Sequence, residues 1–202
     1  MGIADTPELL VADAAAWRDW LEAHHSDASG VFLVLAKKNR PAPTTLTYEQ
    51  ALQEALCQGW IDGQVRRRDD DTVGQRFTPR TARSPWSKAN VERVARLEAE
   101  GRMRERGRAE VARAQADGRW EAAYAGPATI EVPDDLAAAV AASPRASAMW
   151  EVLTSQNRYA MLFRLHHLKT PAGRARRIAD YVEKLERGET LHPQRARHPQ
   201  VG

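Results

Sequence analysis

Apolar residues recur at helical spacing over 13–27, where Trp17, Trp20 and Leu21 share one face and Asp13 stands at the N-cap position. Ala28-Ser29-Gly30 ends that pattern, and VFLVLAKK (31–38) then reads as a buried strand rich in β-formers. A loop, Asn39-Arg40-Pro41-Ala42-Pro43, follows. Thr47 through Gln50 has the spacing of a capping box, which predicts a helix to about Cys57, stopped by Gly59. Residues 60–68 and 73–79 read as two strands joined by the acidic turn Asp69-Asp70-Asp71.

From Ser87 onward the periodicity is helical throughout. The pattern predicts helices over 88–100, 105–117, about 134–142, from Ser143-Pro144, from Ser155 to Leu168, and from Thr170-Pro171 to Gly188. The expected fold class is therefore α+β: a small N-terminal mixed layer of about three strands and two helices, then an all-helical C-terminal half. The expected organisation is an N-terminal α/β subdomain over 1–86, a helical subdomain over 87–188, and a loose, proline-broken tail over 189–202.

Six of the 13 aromatics are Trp, and 202 residues are enough to bury a real core, so the chain is folded rather than disordered. The net charge of +3 is uneven. Residues 1–100 hold 13 Lys/Arg against 15 Asp/Glu, and 101–202 hold 17 against 12. That balance suits an anionic ligand without demanding nucleic acid. One cysteine excludes an internal disulfide and a multi-cysteine zinc site. No apolar run reaches the ~18 residues of a membrane span, and the N-terminus shows no secretory pattern. A cytoplasmic setting is the expectation.

Residues 56–90 concentrate the candidate chemistry, with Cys57, Trp60, Asp62, Phe77, Trp86 and seven cations. Strand alternation puts Trp60, Asp62 and Gln64 on one face and Ile61, Gly63 and Val65 on the other. If Ile61 and Val65 face the core, Asp62 lies beside an indole as a general acid/base or ligand-orienting carboxylate. Alternatively it bonds backbone amides or pairs with an arginine. Cys57, at the end of an apolar helix face, reads as an inert buried thiol, because a nucleophilic cysteine needs a depressed pKa and a base.

Arg76, Thr78 and Arg80 alternate along one strand face, where two guanidiniums and a hydroxyl suit a carboxylate or phosphate. Ser87, Lys88 and Asn90 open the next helix, whose free amides and dipole also favour an anion. With Trp60 and Trp86 as walls, these residues make a candidate site for an anionic small molecule in a binding protein or enzyme; a non-catalytic stress or protein-interaction module is the alternative. Alternatively, the arginines pair with Asp62 or Asp69–Asp71, and Ser87 only caps its helix.

A second basic set, Arg158, Arg164, Lys169, Arg174 and Arg177, lies in a stretch from 158 to 177 with six cations and no acid. It is a polyanion surface, for instance for weak nucleic-acid binding, a wall of the same pocket, or simply a solvated face. Adjacent His166 and His167 diverge and make a poor metal grip. No metal or cofactor is expected, since phosphate-loop, dinucleotide-binding and catalytic-serine or zinc-protease signatures are absent.

Several of these residues carry a resemblance. Cys57-x-Gly59-Trp60-Ile61-Asp62-Gly63, Phe77-Thr78-Pro79-Arg80 and Trp86-Ser87-Lys88-x-Asn90 resemble the YdeI/OmpD-associated, or bacteriocin-protection, family. So do Gly101-Arg102-Met103, Gly118-Arg119-Trp120 with Ala123-Tyr124, Asn157-Arg158-Tyr159-Ala160 and Arg174-Ala175-Arg176-Arg177-Ile178, which extends the likeness over about 17–190. The resemblance implies a soluble, mostly intracellular bacterial protein, linked by name to resistance against bacteriocins and antimicrobial peptides. It implies no settled reaction and no catalytic residues. Gln58, in place of an aromatic or apolar residue, and Arg104-Glu105, in place of a Thr-Pro helix start, depart from the pattern.

Overall fold

Side-chain caps set where most helices begin, and the predicted starts hold. Asp13, Thr47, Ser87, Ser143 and Thr170 each accept a backbone N–H in the first turn, Thr47 in a full capping box. One cap differs: Thr154, not Ser155, caps its helix, because its Oγ1 receives the N–H of Asn157. The structure, a computed structural model, describes residues 6–37, 40, 43–126, 129–168 and 170–194.

The elements are β1 (Glu8–Leu9), α1 (Ala14–His24), β2 (Val31–Ala36), α2 (Tyr48–Cys57), β3 (Trp60–Arg67), β4 (Thr72–Pro79), α3 (Lys88–Ala99), α4 (Glu105–Ala116), α5 (Asp134–Ala141), α6 (Pro144–Val152), α7 (Ser155–His166) and α8 (Pro171–Glu186). The fold is α+β, as expected, with a four-stranded sheet in the order β1-β2-β4-β3. The sequence pattern misses β1, which has two residues, too few to show a period of two. β1 runs parallel to β2, and the remaining pairs are antiparallel.

The chain forms two compact units, Met1–Ala123 and Tyr124–Gly202. The elements after residue 86 are helices, but α3 and α4 belong to the first unit. Their buried Val94, Leu97 and Ala114 join one core with Trp17 and Leu21 of α1, Leu52 and Leu56 of α2, and Val31, Leu33 and Leu35 of β2. The second unit has its own core, built from Leu136, Met149, Met161, Leu165, Ile178 and Tyr181 among others.

Two corrections to local expectations position the site. First, the β3–β4 register shifts between Asp62 and Val65, placing a bulge at Gly63-Gln64 opposite Arg76. Gln75 fills the distortion by donating its Nε2 to the Gly63 carbonyl at 2.8 Å. Beyond the bulge, Val65 is exposed rather than in the core. Second, the face of β3 carrying Trp60 and Asp62 is the helix-covered face. Trp60 is 1% exposed, and Asp62 pairs in register with Phe77, which packs on Trp17.

The start of the expected loose tail is tied down. Asn157, fully buried, donates to the His192 carbonyl at 3.1 Å and to Gln194 Oε1 at 3.0 Å, and its Oδ1 accepts the His192 N–H at 2.8 Å. Residues 195–202 lie outside the described residues.

Candidate functional site

The α2-to-β3 corner is built by Gly59, whose φ of +74° ends the helix in the left-handed region. Space there is short as well: a Cβ on Gly59 would lie 3.1 Å from the Arg106 carbonyl of α4. The corner sets α2 and β3 so that Tyr48, in the first turn of α2, donates its hydroxyl to Asp62 Oδ2 at 2.8 Å. Burial, and then the hydrogen bond to Asp62, raise the Tyr48 phenol well above its ordinary range, so it remains a donor at any physiological pH. Cys57 at the other end of α2 is buried. Burial, then the charge of Glu54, push its thiol up to about 11, which makes it inert at neutral pH.

Beside this pair a polar cleft of about 360 Å³ opens between α2 and α3. Glu49 and Arg93 form its wall through two hydrogen bonds of 2.9 Å, Nε to Oε1 and Nη2 to Oε2. Arg93 Nη1 also donates to Asn90 Oδ1 at 3.3 Å, and Gln53 donates to Glu49 at 3.2 Å. The hydrogen bond from Arg93 holds the Glu49 carboxyl below the usual carboxylate range. The hydrogen bond and charge of Glu49 in turn raise Arg93 above its ordinary range, with a smaller contribution from the Asp62 charge. Arg96 and Glu100 also line the cleft; Arg96 is exposed, among the described residues forms no ion pair within 4.0 Å, and its charge helps hold Glu49 low.

Beneath the cleft, Glu54 is 4% exposed and gripped by two arginines. Arg18 reaches it with Nε and Nη2 at 2.8 Å each, and Arg102 with Nη2 at 2.8 Å. Burial alone would raise this carboxyl, but the hydrogen bonds and charges of Arg18 and then Arg102 hold it low. Arg102 Nη1 also donates to Gln53 at 3.0 Å and to Glu100 at 3.1 Å.

The residues expected to form one site lie in separate places. Trp60 and Trp86 are core side chains, 1% and 2% exposed, rather than cavity walls. Arg80 is 5% exposed; its guanidinium lies over Trp86, and its Nη1 donates to the Pro85 carbonyl at 3.1 Å. Arg76 and Thr78 alternate with Phe77 and so occupy the face of the sheet opposite Asp62. The Nε of Arg76 is buried without a hydrogen-bond partner among the described residues. Ser87 caps α3 by accepting the Asn90 N–H at 3.2 Å, and Lys88 is exposed at the same end. Of the expected set, Asp62 and Asn90 therefore belong to the hydrogen-bonded network around the cleft. Tyr48, Glu49 and Arg93 complete it, with Arg96 exposed on the cleft wall, and all four escaped sequence reasoning. Their i, i+3/i+4 positions on α2 and α3 were the signal available.

In the second unit the basic set is partly spent internally. Arg174 grips Asp135 at 2.6 and 2.9 Å and donates to the Leu165 carbonyl. Arg158 Nη2 donates to the Glu151 carbonyl at 3.0 Å. Arg177 lies 5.9 Å from the Tyr181 ring centre, Arg164 is exposed, and Lys169 lies outside the described residues. His166 and His167 are exposed with ring centres 5.3 Å apart. Among the described residues no group of three His, Cys, Asp or Glu could hold a metal. Nor is any of their helices long and apolar enough to cross a membrane.

Residues 9–110, just over half of the chain, match the family described as Domain of unknown function (DUF8412), and the chain belongs to that family. Residues 129–188 match the family described as Bacteriocin-protection, YdeI or OmpD-Associated. The resemblance drawn from the motifs is thus matched over 129–188, while the motifs from Cys57 to Met103 fall within the domain of unknown function and that of Gly118 to Tyr124 falls in neither match. No curated protein and no solved structure matches the chain.

Proposed function

We propose that the first unit binds a small molecule bearing a carboxylate or phosphate in the cleft between α2 and α3. The observation that supports this reading is Arg96, a cation without an ion pair, set in a polar cleft of 360 Å³ whose other arginine, Arg93, is held rigid by Glu49 and Asn90. A fixed guanidinium loses less freedom on binding than a mobile one. In this reading Arg96 supplies the charge for the anion. Gln53 and Arg93 set its orientation, and the Tyr48–Asp62 pair at the margin offers a donor and an acceptor to the rest of the ligand. Cytoplasmic residence and a part in protection against bacteriocins, the latter carried by the description of the second matched family, form the biological setting of the proposal.

The test is thermal unfolding of the full chain with inorganic phosphate, citrate and a panel of phosphorylated and carboxylated metabolites. A ligand at ~100 times its dissociation constant adds about 2.7 kcal/mol to the stability of the folded state. The wild type should gain that stabilisation from at least one compound, and Arg96→Ala should lose it while melting as the wild type does without ligand. Equal stabilisation of Arg96→Ala contradicts the site, and a flat response across the panel contradicts the reading as a whole.

A further inference from the structure

In the second unit a groove of about 640 Å³ runs along the full length of α8, with Asp135 and Ala139 of α5 on its flank. The α8 positions that line it recur at three- and four-residue spacing, the pattern of a helix seam. They are also symmetric about a point midway between Ile178 and Ala179. Ala175 lies as far from that point as Val182, Arg174 as far as Glu183, and Pro171 as far as Glu186. The centre is apolar, Arg174 stands toward the N-terminal end with Asp135 of α5 paired to it, and two acids stand toward the C-terminal end. Ala175 and Ala179 are exposed, so neither side chain holds a neighbouring helix away.

We propose that this face docks a second copy of the chain, with the two α8 helices antiparallel about a two-fold axis near residues 178 and 179. The opposite charges of Arg174 and Glu183 argue for a second copy over an unrelated helix, because the chain itself supplies the complement. An antiparallel pairing sets Ala175 against the Val182 position of the other copy and Arg174 against the Glu183 position. A parallel pairing would set like charges against each other. The antiparallel arrangement also opposes the helix dipoles, and its interface uses the same patch twice, as closed two-fold dimers do. Arg174 keeps Asp135 and Glu183 keeps Arg187 within each copy, so the contact extends existing ion pairs into a network.

Sedimentation of the full chain tests this, together with engineered cysteines. The buried Cys57 thiol leaves a new surface thiol as the reporter. The wild type should sediment at twice the 22.6 kDa chain mass, and Ala175→Glu, a change at an exposed position, should halve that mass while circular dichroism stays unchanged. Under mild oxidation Ala179→Cys should form a covalent dimer, and Ala138→Cys, exposed on α5 and away from the groove lining, should not. A monomeric wild type, an unchanged mass for Ala175→Glu, or equal crosslinking at both positions overturns the proposal.

Discussion

The guanidinium carbon of Arg80 lies 3.5 Å from the centre of the Trp86 ring, and both residues are almost wholly buried. Trp86 in turn meets Trp120 edge-on at 4.8 Å. Arg80 is therefore a packing residue that carries a charge. Arg80→Ala should destabilise the chain by about 2–4 kcal/mol, combining a desolvated cation–π contact, a charged hydrogen bond and lost stem packing. Ligand stabilisation of the variant, measured as the change in melting temperature, should match that of the wild type. A variant as stable as the wild type would remove the packing role.

Glu54 gives the first unit a dependence on acid. Its carboxyl titrates lower in the folded chain than its ordinary value of 4.5, so its stabilisation is complete above that value and is lost as pH falls through the folded one. Glu54→Gln should cost about 2–3 kcal/mol at pH 7. That is the lower part of the range for a broken buried pair, because Arg18 and Arg102, 41% and 34% exposed, can return to water. The gap in urea midpoint between the variant and the wild type should close as pH drops below the ordinary value of 4.5. A gap independent of pH would mean that shape, not charge, accounts for the loss.

Gly107 permits α4 to dock on the end of α2. A Cβ there would stand 2.3 Å from the Cys57 carbonyl oxygen, which also accepts the Arg104 N–H at 3.1 Å. In an isolated helix Gly→Ala gains about 1 kcal/mol. Here Gly107→Ala should instead destabilise by about 3 kcal/mol, through overpacking against backbone that cannot swing aside. Denaturant unfolding decides the sign, and a stabilised variant would contradict the close approach.

Asn157 should act as the clasp of the C-terminal segment. Asn157→Ala removes its hydrogen bonds to His192 and Gln194 and leaves the His192 N–H without its side-chain acceptor, a loss of about 2–3 kcal/mol. Hydrogen exchange should then accelerate at residues 190–194 more than in α6 or α8. Uniform acceleration over the whole unit would point to a core defect instead.

What the sequence disclosed follows from the range of the interactions involved. Helix starts were legible because Asp13, Thr47, Ser87 and Thr170 bond to amides three residues away. Cys57 was legible as inert because its apolar helix face was. The reading of residues 60–68 failed at the bulge, where the one available mark, a glycine inside a strand pattern, does not by itself say that alternation slips. With it failed the placing of both indoles as walls, because a tryptophan that ends in the core and one that lines a cavity look alike in a sequence. Glu54 bonds Arg18 and Arg102, 36 and 48 positions away, and Glu49 bonds Arg93, 44 away. Such partners are set by how helices pack, so the cleft was hidden until α2 and α3 were placed side by side.

The most direct test of the anion cleft is an amide NMR titration of the full chain with citrate, repeated with Arg96→Ala. Citrate should produce saturable shifts at Gln53, Arg93, Arg96 and Glu100, lost in the variant, with residues 158–177 unmoved. Saturable shifts confined to residues 158–177, or shifts around α2 and α3 that survive Arg96→Ala, would contradict it.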